Sequence, residues 1–144
     1  MLDKVNLEDW ESVQVLGGSA SHVPEAIIGL LSSNKVDFDK AYWKLDNHII
    51  VQGDLFSSAA LVPKYLEEVL LKTKFKEPVI DLLWQIGSGY STDNNLQSLC
   101  YENVIKVLKS LSMNSHTLGK KYLSMINSEI KELEELKKYR EKGT

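Results

Sequence analysis

Apolar residues recur along this chain at helical spacing, and one arrangement of them is used twice. Val62, Leu66, Val69 and Leu70 follow the i, i+4, i+7, i+8 spacing of one buried helix face, and Val23, Ile27, Leu30 and Leu31 repeat it thirty-nine positions earlier. Each copy also carries a proline after its leading valine, in Val23-Pro24 and Val62-Pro63. A period of roughly 39 residues is the length of a two-helix repeat unit, in which every pair covers its neighbour's apolar face. The fold class this predicts is all-α: a short α-solenoid of about three helix pairs, near 21–53, 57–90 and 96–139, preceded by a short N-terminal helix, all in one domain.

Taken in order, the pattern predicts a first helix over Leu7 to Leu16, with Trp10, Val13 and Leu16 on one side and Gly17-Gly18-Ser19 ending it. Ser21 is the expected N-cap of the next helix, where Pro24 sits near the first helical position and Glu25 faces the positive end of the helix dipole. Asp37 is expected to cap a second helix from Phe38 to about Val51, whose apolar face is Phe38, Ala41, Tyr42, Leu45 and Ile49, with Gln52-Gly53 as its C-terminal stop. For the segment from Ser57 to Lys72 two readings stand: one helix kinked at Pro63, or a helix that begins at Pro63 after a separate turn. Glu77-Pro78 restarts a helix with Ile80, Leu83, Trp84 and Gly87 on one face, and the small polar residues from Gly87 to Asn95 read as an exposed, mobile loop. Leu96 to Leu111 is another helix, and a longer one from His116 to about Tyr139 shows near-heptad spacing through Tyr122, Ile126, Ile130, Leu133 and Leu136.

Composition narrows the function. With 144 residues and 43% apolar content the chain builds one ordinary core. No apolar run approaches the roughly 18 residues that cross a bilayer, and Met1-Leu2-Asp3-Lys4 lacks a signal pattern, so a cytoplasmic location without membrane contact is expected. The single Cys100, between Leu99 and Tyr101, is expected to pack. Charge is uneven: residues 1–100 carry fourteen acidic side chains against eight lysines, a net −6, whereas residues 101–144 have a net +3. An acidic body does not suit a phosphate backbone, which argues against nucleic acid, and it does suit a basic protein partner.

Catalytic and cofactor signatures are missing from the sequence. His22, His48 and His116 have no second ligand at metal-binding spacing, so no metal site is expected. Neither Gly17-Gly18 nor Gly87-Ser88-Gly89 continues into a nucleotide-binding loop, and no nucleophile elbow positions a serine. The expectation is a non-enzymatic chain without cofactor. His48 within Asp46-Asn47-His48 reads as a residue favoured by a helix C-terminal dipole more readily than as a proton-transfer group.

Asp9-Trp10, Gly17-Gly18-Ser19-Ala20, Val23-Pro24, the run Ala41 to Asn47, the run Gln52 to Ala59, and Val62-Pro63 together resemble a group of bacterial HEAT-like repeat proteins. The likeness covers roughly the first 85 residues and is anchored on Leu45, Asn47, Gln52 and Gly53. It implies an α-solenoid whose second helices line one face, with a binding role and no cofactor. Small HEAT-like bacterial proteins also look like immunity proteins of polymorphic or contact-dependent toxin systems, which is an analogy of fold.

The function expected on these grounds is an immunity protein that neutralises a cognate toxin domain, a nuclease with a basic groove in particular, by covering it. Asp39, Trp43, Asp46, Asp54, Asp81, Tyr90 and Asp93 are the expected partner-binding residues, the acids for charge and the aromatics as anchors. The alternative is a structural or regulatory adaptor that dimerises through the C-terminal helix; the first reading expects a monomer.

Overall fold

Proline sets the first turn of both repeated helices, because its missing N–H lies where no intrahelical acceptor exists. The computed structural model describes residues 1–143. It places Pro24 in the first turn of α1 (Val23–Gly29) and begins α3 (Pro63–Lys72) at Pro63 itself. Ser57–Ala60 forms a separate 3-10 turn, so of the two readings of Pro63 the helix start holds. The chain is predominantly helical, 70% overall with few short strands. The remaining helices are α2 (Lys35–Leu45), α4 (Lys76–Ser88), α5 (Asn94–Ser112), α6 (Ser115–Leu118) and α7 (Lys120–Lys142).

Several expected boundaries are corrected. The segment Leu7 to Leu16 is not a helix: 3-10 turns at Leu2–Leu7 and Trp10–Ser12 lead into β1 (Gln14–Val15), which pairs antiparallel with β2 (Gly18–Ser19). Trp10 is buried and its indole Nε1 donates to the Val5 carbonyl at 2.7 Å, which holds the turns together, while Leu7 and Leu16 are exposed. Ser21 does not cap α1, whose N-cap position is His22. Asn34, not Asp37, caps α2, its side chain accepting from the backbone N–H groups of Val36 and Asp37.

α2 stops at Leu45, six residues short of the expected end. The β-branched run Ile49-Ile50-Val51 is extended: β3 (Ile50–Val51) and β4 (Asp54–Leu55) form a hairpin whose turn residues Gln52 and Gly53 have φ of 51° and 86°. Leu45 and Ile49 are both fully buried. Their four-residue spacing mimicked one helix face although only Leu45 is helical. The expected loop from Gly87 is also shorter. Gly87 lies buried in α4, and Tyr90 is held by backbone hydrogen bonds, accepting from Leu55 N–H at 2.8 Å and donating to the Gly53 carbonyl at 2.7 Å. Gly119, with φ +83°, breaks the expected last helix into α6 and α7.

Packing follows from which faces are apolar. α1 packs on α2, α3 on α4 and α5, and α7 on both α4 and α5. α4 buries Val79, Ile80, Leu82, Leu83 and Ile86, a broad apolar face, because α3, α5 and α7 pack against it, and leaves Asp81 exposed on the other side. α7 contributes Ile126 and Leu133, both fully buried, to the same core. At one edge the two hairpins meet, Leu16 N–H donating to the His48 carbonyl at 2.8 Å.

Candidate protein-docking surface

α2 buries Phe38, Ala41 and Leu45, so Asp39 and Trp43, at i and i+4 beside them, are turned outward, and Asp46, half-buried, follows at the helix end. Trp43 is 61% exposed, which for the largest apolar side chain leaves an anchor-sized surface uncovered. Asp39 is held by Lys35 in an exposed pair at 2.6 Å. Asp46 ends the helix in extended backbone, its N–H donating to the Tyr42 carbonyl at 2.8 Å. Two imidazoles cover the carbonyls left free there: His48 Nδ1 lies 3.0 Å from the Trp43 carbonyl oxygen and His22 Nε2 3.2 Å from that of Lys44. These rings, twenty-six residues apart in sequence, meet edge to face with centroids 5.5 Å apart.

α4 presents Asp81 and Gln85 to the same region, and Gln85 Nε2 donates to Asp81 Oδ2 at 2.7 Å. Gln85 also lies close enough to the Tyr42 phenol to act on its titration, which relates α4 to α2. α7 adds Glu129, which interrupts the apolar stripe of Ile126 and Leu133 and is carried partly into the interior. Its Oε2 oxygen is buried and has no hydrogen-bond partner.

The electrostatics of this group run one way. Burial, then Asp81 and Glu132, push the Glu129 carboxyl up to about 8. Burial and the charge of Asp81 also raise Asp46 above the ordinary carboxylate range, and burial with Asp46 and Asp81 raises the Tyr42 phenol. Among the described residues no lysine or arginine forms an ion pair with Asp46, Asp81 or Glu129. Carboxylates elsewhere on neighbouring helices are compensated, as in Glu77 with Lys121 at 2.6 Å and Glu102 with Lys137 at 3.2 Å.

The other expected residues lie apart from this group. Asp54 and Tyr90 are neighbours on the hairpin edge, both exposed, through the backbone pairing of β4 with the loop after α4. Asp93 is the N-cap of α5, its Oδ1 accepting from the N–H groups of Asn95 and Leu96, so its carboxylate is engaged within the fold. The structure thus brings Asp46 and Asp81 together beside Trp43, and separates them from Asp93. Sequence reading missed Tyr42, Gln85 and Glu129. The available signal was an acid at position 129, three residues after Ile126 and four before Leu133, on an otherwise apolar face.

A groove of about 570 Å³ lies elsewhere, between α3 and α5, where Leu61, Lys64, Glu67, Asn103, Lys106 and Val107 line it. Cys100 is fully buried and its thiol is pushed up to about 12, so it is no nucleophile at neutral pH. Among the described residues no group of three His, Cys, Asp or Glu side chains could hold a metal ion, and no helix is long and apolar enough to cross a membrane. In comparisons with known proteins, no family model, curated protein or solved structure matches this chain.

Proposed function

We propose that this chain is a non-enzymatic binding protein of HEAT-like solenoid architecture, an immunity protein that neutralises a toxin domain in the bacterial cytoplasm by direct contact. The carrying observation is the pair of carboxylates Asp46 and Asp81, which have no ion-pair partner among the described residues, at the end of the helix that exposes Trp43. Two such carboxylates repel one another, and a basic partner relieves that repulsion on docking. A nuclease toxin, whose substrate groove is itself basic, is the partner class this charge suits, and Trp43 supplies the apolar anchor. The monomeric form of this reading is supported by α7, whose heptad-like stripe is spent on α4 and α5 and leaves Ile126 and Leu133 fully buried.

The test is co-purification with the product of the adjacent gene, expected to be a toxin bound at micromolar affinity or tighter. Charge reversal in the Asp46→Lys, Asp81→Lys double variant should slow association and reduce its dependence on salt. A neighbour that is not a toxin, with no complex at micromolar concentration, would remove the immunity role.

A further inference from the structure

The carbonyl groups at the end of α2 are gripped by two imidazoles that come from opposite ends of the α1–α2 unit. His22, at the N-cap position of α1, places Nε2 3.2 Å from the Lys44 carbonyl oxygen. His48, three residues beyond the last residue of α2, places Nδ1 3.0 Å from the Trp43 carbonyl oxygen. A carbonyl oxygen only accepts, so each of these ring nitrogens carries the hydrogen. The tautomers follow: in the neutral rings the lone pair of His22 lies on Nδ1 and that of His48 on Nε2. Among the described residues no hydrogen bond engages either of those two nitrogens. Both side chains are half-buried, so each ring keeps a face open to solvent.

An imidazole that ligates a metal is arranged in this way. One nitrogen donates to a main-chain carbonyl, which fixes the ring and its tautomer, and the other offers its lone pair. Here two such rings stand together, with centroids 5.5 Å apart and planes at 73°. An ion held at about 2.0–2.1 Å by two imidazole nitrogens at the tetrahedral angle sets the ring centres roughly 5 Å apart. The two separations agree to within a small movement of either side chain. Twenty-six residues lie between the two histidines, so no ligand spacing is visible in the sequence.

We propose that His22 Nδ1 and His48 Nε2 are the protein ligands of an open site for a divalent transition-metal ion of the zinc class. Imidazole nitrogen suits zinc, nickel and copper, whereas magnesium and calcium take oxygen ligands. No third His, Cys, Asp or Glu joins the pair among the described residues, so water fills the remaining positions, as in metal sites that are not closed by protein. The ion clasps the start of α1 to the end of α2, two helices that pack on each other, and it stands at the helix end next to Trp43. The site is independent of the toxin reading and stands or falls without it.

Zinc chloride is the probe and magnesium chloride the control, both on the full chain. Two-bond proton–nitrogen NMR should show His22 protonated on Nε2 and His48 on Nδ1, and saturation with zinc should then shift His22 Nδ1 and His48 Nε2 while His116 stays unmoved. Calorimetry should give about one zinc per chain and no heat with magnesium. His22→Ala and His48→Ala should each weaken zinc binding by at least about tenfold, and His116→Ala should leave it unchanged. Zinc should raise the melting temperature of the unaltered protein and of neither His22→Ala nor His48→Ala. Should these variants not fold, the nitrogen shifts of the unaltered protein decide alone. Unmoved nitrogens on His22 and His48, zinc held as tightly by the double alanine variant, or no binding at millimolar zinc would overturn the proposal.

Discussion

The Thr73 hydroxyl donates to the Leu30 carbonyl at 2.9 Å, across forty-three residues of sequence, and also accepts from the Phe75 N–H at 3.1 Å. Thr73 is 2% exposed, so one side chain closes the C-terminal end of α1 and the turn between α3 and α4 in a place water does not reach. Similar local turns stand before α2 and α5, where Ser32 accepts from Asn34 N–H and Ser91 from Asp93 N–H. Of these three turn hydroxyls, that of Thr73 is the one that also reaches the end of another helix.

Thr73→Val keeps shape and removes both bonds. It should destabilise the fold by about 1–3 kcal/mol, since a buried carbonyl and a buried N–H lose their partner. Thr73→Ser should retain most of the stability. Urea unfolding of the two variants measures the difference, and equal midpoints would show that the bond contributes nothing net.

Stability should fall as pH rises through the neutral range. The folded Glu129 titrates at about 8, above its ordinary value of 4.5, so the folded state holds a proton that the unfolded state has released between these limits. The contribution is fully present below about pH 4.5 and is lost as pH approaches 8. After screening by nearby solvent it amounts to about 2 kcal/mol. Denaturant melts at pH 5.5, 7 and 8.5 test this, and Glu129→Gln should flatten the profile over that window.

Gly87 is closed to any larger side chain. A Cβ there would stand 2.9 Å from Val104 Cγ1 and 3.1 Å from Leu133 Cδ1, at the junction of α4, α5 and α7. Gly87→Ala should cost about 1–3 kcal/mol by overpacking despite the better helix propensity of alanine. Thermal unfolding reads the loss, and the Gly87→Ala, Val104→Ala double variant should recover part of it.

Arg140 secures the far end of α7, its guanidinium donating to the Ser88 carbonyl at 2.8 Å and the Gly89 carbonyl at 3.2 Å. Arg140→Ala should cost about 1–2 kcal/mol and speed hydrogen exchange in the last two turns of α7. Light scattering should give the same mass for both proteins. A dimer lost on substitution would favour the adaptor reading instead.

Trp43 lies outside the core, so Trp43→Ala should leave the melting temperature nearly unchanged. Affinity for the proposed toxin partner should fall by about 2 kcal/mol if the indole is the anchor of the interface. Surface plasmon resonance against the co-purified neighbour provides the measurement.

The helical faces of α1, α3 and α5 were legible from residue spacing, because burial on one side of a helix imposes a periodicity that survives in any context. The hairpins were not. Leu45 and Ile49 are both fully buried, and four-residue spacing between buried side chains reads as helix whether or not the backbone turns out of it. Leu16 and Trp10 misled in the same way, since one proved exposed and the other buried within 3-10 turns.

By itself the sequence determined a predominantly helical chain, the place of Pro24 near the start of its helix, and an acidic first hundred residues, whereas it left Pro63 between a kink and a helix start. These follow from local backbone preference and composition. Tertiary structure decided which acids meet. Asp81 lies thirty-five residues after Asp46 and forty-eight before Glu129, and the fold brings it within electrostatic reach of each, the second because α7 packs on α4. Asp93, equally acidic in the sequence, became a helix cap. The displaced titration of Glu129 depends on burial and on charges from other helices, quantities that no stretch of sequence contains until packing has set the distances.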